Sequence, residues 1–166
     1  METASQSRLP RERPLLTLGA AVLLCELVGI TGALFTATGV ESWYATLNQP
    51  ELAPPNWVFG PVWTTLYALM GAAAWLVWRE GSGRSQQVAL GLFGVQLALN
   101  FAWSFVFFGA EAILPALAVI LVLLFFIGTT ATAFWRIDRR AALLLVPYLA
   151  WVSFATYLSY GFWQLN

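Results

Sequence analysis

ILPALAVILVLLFFIGTTATAF, residues 113–134, contains no charged side chain. At 1.5 Å of rise per residue it reaches about 33 Å, enough to cross a hydrocarbon core of about 30 Å. Four further stretches read the same way: Leu15 to Thr38, Val58 to Trp78, Val88 to Phe108 and Leu143 to Trp163, broken only by one acid, Glu26. The connections between them are too short for a second folded unit. The expected fold is all-α: an integral membrane bundle of five transmembrane helices in one domain, residues 15–166, after an N-terminal tail, residues 1–14. A cleaved signal peptide at the first span is disfavoured, because that apolar run is longer than a signal sequence uses.

Composition agrees with a lipid solvent. The chain is 60% apolar and 10% charged, whereas an ordinary soluble domain is about 25% charged. Net charge is zero, so there is no basic face for nucleic acid. With no lysine, an imine to retinal or pyridoxal cannot form. With no histidine and one cysteine, Cys25, a zinc site or a Cys–His nucleophile cannot be assembled. No metal and no resident cofactor are expected.

Arg8, Arg11, Arg13, Arg79, Arg84, Arg136, Arg139 and Arg140 all fall in the tail or in alternate connections, hence on one side. The positive-inside rule puts the N-terminus inside and the C-terminus outside. Trp78 and Trp135 then mark inner span ends, and Trp43, Trp57 and Trp163 outer ones, where indoles settle among headgroups. Trp63, Trp103 and Trp151 do not fit that pattern, lying about 7, 7 and 18 Å below the outer ends by helical rise.

The third span has two faces. Gly94, Ala98 and Ala102 form a small-xxx-small row, the spacing that lets transmembrane helices approach closely, either inside the monomer or across a dimer seam. Gln96, Asn100, Trp103 and Phe107 share the opposite side. A buried amide such as Asn100 must find a partner, from a neighbouring helix or a bound polar ligand. In the last span, Trp151, Ala155 and Ser159 share one stripe, where a small residue beside an indole leaves a slot. Trp63 and Tyr67 lie one turn apart on the second. Three helices can thus direct aromatic rings toward one outer space, suited to a flat apolar ligand, although core packing uses the same pattern. The nineteen-residue connection GVESWYATLNQPELAPPNW, 39–57, is stiffened by Pro50, Pro54 and Pro55 and is expected to act as a lid. Glu26, in mid-span, is a functional candidate by default. Proton-coupled export of a cationic compound would be one use for it.

Three segments carry a resemblance: WYATLNQPELAPPNWVFGPVWTTLYALMG (43–71), QLALNFAWSFVFFGA (96–110) and PYLAWVSFATYLSYGFWQLN (147–166). They resemble the translocator protein family, also called tryptophan-rich sensory proteins or peripheral-type benzodiazepine receptors, from about residue 15 onward. The resemblance implies a homodimer of five-helix subunits. It also implies a cavity under the first outer loop for tetrapyrroles such as protoporphyrin IX and for isoquinoline or benzodiazepine-type drugs, and a role in tetrapyrrole handling or stress sensing. Carried across by motif, the pocket residues are Tyr44, Trp63, Asn100, Trp103, Ser104, Trp151 and Ala155, with Phe107 added from the helix pattern. Gly94, Ala98 and Ala102 would form the dimer seam. Some bacterial relatives are proposed to degrade protoporphyrin in light, for which Trp63 and Trp151 would be the catalytic candidates. A multi-pass protein of a bacterial cell membrane is the expected setting. The sterol pattern of vertebrate members is incomplete, because Gln164 stands where a basic residue belongs after Leu158 and Tyr160. Sterol binding is therefore expected only at low affinity. Glu26 matches no family motif.

Overall fold

The computed structural model describes residues 13–166. Arg8, Arg11 and most of the tail lie outside the described residues. Five helical spans long and apolar enough to cross a bilayer are present: Pro14–Val40, Asn56–Glu80, Gly83–Gly109, Ile113–Trp135 and Arg139–Leu165. They are built from α1 (Pro14–Val40), α2 (Phe59–Glu80), α3 (Gly83–Ser104), α4 (Ile113–Trp135), α5 (Arg139–Leu144) and α6 (Val146–Leu165).

Local chemistry sets the ends. Pro14 opens α1, where its missing N–H costs nothing. Asp138 caps α5 by accepting the Arg140 backbone N–H at 2.8 Å. The Arg140 side chain also hydrogen-bonds this carboxyl and holds it below the usual carboxylate range. Pro147 falls in the first turn of α6, which separates α5 from α6 at Leu145 and makes the last span a jointed one. Between α2 and α3 the chain turns at Gly81 and Ser82, and Gly83 takes φ +62°, a conformation open to glycine. There the Gln86 amide donates to the carbonyls of Val77 and Trp78, which ties the two helices together.

Short turns make the spans from α2 onward successively antiparallel, and α1 runs antiparallel to α2, with Thr17 beside Trp75, Val22 beside Gly71 and Gly29 beside Tyr67, so Arg13, Arg79, Arg84, Arg136, Arg139 and Arg140 share one end. The main core lies among α2 to α6, with Met70, Ile120, Leu123, Ile127, Phe134 and Tyr148 almost completely buried. A second cluster sits at the arginine-free end: Tyr44, Phe107, Phe108, Ala116, Leu158 and Phe162. Helix α1 is peripheral. Only Cys25, Gly32 and Gly39 on it are buried, and Leu23, Leu24, Leu27, Ile30 and Leu34 are more than half exposed, as a lipid-facing surface requires. It is held by close backbone approach. A Cβ on Gly71 of α2 would lie 2.5 Å from the Cα of Val22. On α3, Gly94 and Ala98 face outward and Ala102 is half-buried; a Cβ on Gly94 would meet no atom within 4 Å.

Candidate functional site

A cavity of about 400 Å³ opens between α1, α2, α3 and α6, a volume within the range of small-molecule sites. One stripe of α1 forms its longest wall, with lining residues at every third or fourth position from Glu26 through Gly29, Ala33 and Ala37 to Glu41. By helical rise that stripe is about 22 Å long. Phe59, Trp63, Thr64 and Tyr67 contribute from α2, Trp103 and Ser104 from α3, and Trp151 and Ala155 from α6. Along this wall α1 comes close to α2: a Cβ on Gly29 would overlap the Tyr67 ring.

The aromatic walls are themselves supported. Trp63 lies over Tyr67 at 5.6 Å between ring centroids and meets Tyr148 edge-on at 6.3 Å. Trp151 packs edge-on against Phe59 at 6.2 Å. Trp103 stacks on Phe107 at 5.2 Å and 16°, and its indole Nε1–H is buried with no hydrogen-bond acceptor among the described residues. Such stacking fixes ring orientation before any ligand arrives.

Behind the wall runs a buried polar chain. The Tyr67 hydroxyl donates to Asn100 Oδ1 at 2.5 Å, Asn100 Nδ2 donates to the Tyr148 hydroxyl at 2.9 Å, and that hydroxyl donates to Gln96 Oε1 at 2.8 Å. Gln96 Nε2 reaches Met70 Sδ at 3.9 Å.

Of the residues expected at the site, Trp63, Trp103, Ser104, Trp151 and Ala155 line this one cavity. Three others do not. Asn100 is 2% exposed and finds its partners in Tyr67 and Tyr148; helix neighbours satisfy it, and it touches the cavity only through Tyr67. Phe107 sits one layer back, behind Trp103. Tyr44 is buried against Phe108 and Phe162 at 5.8 and 5.2 Å, and burial raises its phenol above the usual range.

The 39–57 connection also differs from a simple lid. Val40, Glu41 and Asn56 line the cavity at its ends, but the middle lies on the second cluster. Trp43 meets Phe107 at 5.4 Å, so it is a packing residue more than a headgroup anchor. Asn48 and Asn166 clasp each other: the Asn48 N–H donates to Asn166 Oδ1 at 2.9 Å, and Asn166 Nδ2 donates to the Asn48 carbonyl at 3.1 Å. Neither asparagine stood out in the sequence, because the pairing spans 118 positions. The α1 wall was also missed, although Gly29, Ala33 and Ala37 are spaced by four and mark a face able to lie close to a flat surface.

Fold and site together define a five-span membrane protein with an aromatic-walled cavity among its helices. The family model described as the TspO/MBR family matches residues 21–164. The chain is 44% identical over 155 residues to the tryptophan-rich protein TspO of Chlorobaculum tepidum, covering 93% of this chain and 98% of the relative. It is 46% identical over 126 residues to the translocator protein of Homo sapiens, 75% of each chain, and 43% identical over 143 residues to the tryptophan-rich sensory protein of Cereibacter sphaeroides, 86% of each. The chain belongs to the TspO/MBR family.

Proposed function

We propose that this protein is a membrane receptor or carrier for porphyrins, protoporphyrin IX among them, and for related flat apolar ligands, acting in tetrapyrrole handling or stress sensing. One observation carries the reading: indoles from three helices, Trp63, Trp103 and Trp151, line a single cavity with the small residue Ala155 beside them. Flat walls with few polar groups suit a ligand held by stacking and area burial. Asn100 positions the Tyr67 ring and does not itself hold the ligand.

The test is a dark titration of the purified protein with protoporphyrin IX, followed by tryptophan fluorescence, in the parent, Trp63→Phe and Trp151→Phe. Saturable quenching at micromolar porphyrin, weakened about tenfold by either replacement, is expected. Linear quenching that neither replacement alters would refute the reading. Illumination of the same samples examines a second reading, photo-oxidative degradation, which the shared exposure of Trp63 and Trp151 to the cavity favours. Under that reading the parent bleaches porphyrin in light, and Trp151→Phe binds in the dark but bleaches more slowly. Equal rates would leave binding as the whole function.

We also propose a homodimer in a bacterial cell membrane, joined through the row of outward Gly94 and Ala98 and half-buried Ala102. Single cysteines at position 94 or 98, in a Cys25→Ala background, should crosslink pairs of chains in the membrane. A cysteine on the lipid-facing Leu24 should not, and equal crosslinking at both faces would count against the seam.

A further inference from the structure

Among the described residues, the charged side chains that line the cavity are of one sign only: Glu26 at one end of the α1 stripe and Glu41 at the other, with no arginine between them. The two acids differ in setting. Glu41 lies at the end of α1 and is exposed. Glu26 is twelve residues from Pro14 and fourteen from Val40, about 18 and 21 Å from the two ends of the helix. A glutamate side chain cannot cover that distance to reach headgroup water. Among the described residues Glu26 makes no hydrogen bond and no ion pair. Tyr67, a polar side chain that lines the same cavity, already donates its hydroxyl to Asn100.

An acid held at that depth with no protein partner is costly, and the cost is relieved by whatever brings a donor or a positive charge to it. We propose that Glu26 is the acceptor for the basic or N–H-bearing end of the ligand, so that the site prefers flat apolar molecules carrying a protonated amine over those carrying carboxylates. The ligand then lies along the α1 stripe with its polar end deep and its ring system between the indoles. A carboxylate placed at the same end would meet Glu26 as a like charge. This inference rests on the cavity being the ligand site.

The probe is a matched pair of porphyrins with one ring system: protoporphyrin IX, which carries two propionates, and its derivative with each propionate converted to an amide bearing a terminal primary amine. Both are titrated in the dark against the parent, Glu26→Gln and Glu41→Gln. A hydrogen bond to a charged partner predicts that the amine form binds the parent about ten- to hundredfold more tightly than the dicarboxylate. Glu26→Gln should abolish that difference. Glu41→Gln should keep most of it, since an exposed charge is screened. A parent that binds both porphyrins saturably and equally, or a Glu26→Gln protein that keeps the preference, overturns this inference and leaves the porphyrin reading standing. A parent that binds neither saturably overturns both.

Discussion

Gly71→Ala is expected to lower the thermal midpoint of the protein by roughly 6–12 °C, as about 3 kcal/mol of overpacking requires. The added methyl would lie 2.5 Å from the Val22 Cα, 2.8 Å from its N and 2.9 Å from the Ala21 carbonyl oxygen. All three are backbone atoms of a continuous helix, so no side chain can rotate away, and α1 as a whole must be pushed outward. In lipid no hydrophobic force draws helices together, and close packing is what holds α1 in place. The displaced helix carries the long wall of the cavity, so the proposed porphyrin binding should weaken along with stability. Gly128→Ala, on α4 and away from both α1 and the proposed seam, is the control: nothing lies within 4 Å of the added atom, and its midpoint should not fall below the parent's. Thermal unfolding in mild detergent, followed by near-UV circular dichroism, compares the two. A Gly71→Ala protein that melts with the parent would mean that α1 is not seated as described.

Asn100→Leu is expected to cost about 2 kcal/mol and to loosen the cavity wall as well. The replacement takes an acceptor from the Tyr67 hydroxyl and a donor from the Tyr148 hydroxyl. Both tyrosines are at most 5% exposed, so neither regains water. Tyr148→Phe breaks the chain one link further on, leaving Asn100 Nδ2 and Gln96 Oε1 unpaired. Because the two substitutions disrupt one network, the double variant should be less destabilised than the sum of the single ones. Strict additivity of the unfolding free energies would show that the links act independently. Of the single variants, Asn100→Leu should weaken the proposed porphyrin binding more, since Tyr67 lines the cavity and Tyr148 does not.

The architecture was legible in the chain because lipid imposes one dominant rule: apolar runs of sufficient length must be helices, and arginine-free connections must alternate with arginine-bearing ones. The site was legible in part. Trp63, Trp103 and Trp151 signalled themselves by lying away from the headgroup zone, and all three line the cavity. Helical periodicity placed Asn100 and Trp103 on one side of α3, but it cannot say whether a face meets a ligand or a neighbouring helix. The Asn100 partners, Tyr67 and Tyr148, come from positions 33 and 48 residues away. A count of 100° per residue also fails past Ser104, where Phe105–Gly109 form a π-helical turn. The extra residue brings both Phe107 and Phe108 inward. On α1 the residues are so uniformly apolar or small that no stripe stood out except by the acid at position 26.

The Asn48–Asn166 clasp has a consequence for the order of assembly. It joins the connection after the first span to the far end of the fifth, and Pro50 seats against Gly161 beside it. Neither contact can form until the last helix has been inserted, so during synthesis the connection has no surface on which to settle. The four earlier spans can enter the bilayer one by one, but the arginine-free end of the bundle is completed only as the final step. A chain stalled before α6 would therefore have α1 to α4 in the membrane and the connection after α1 without its seat.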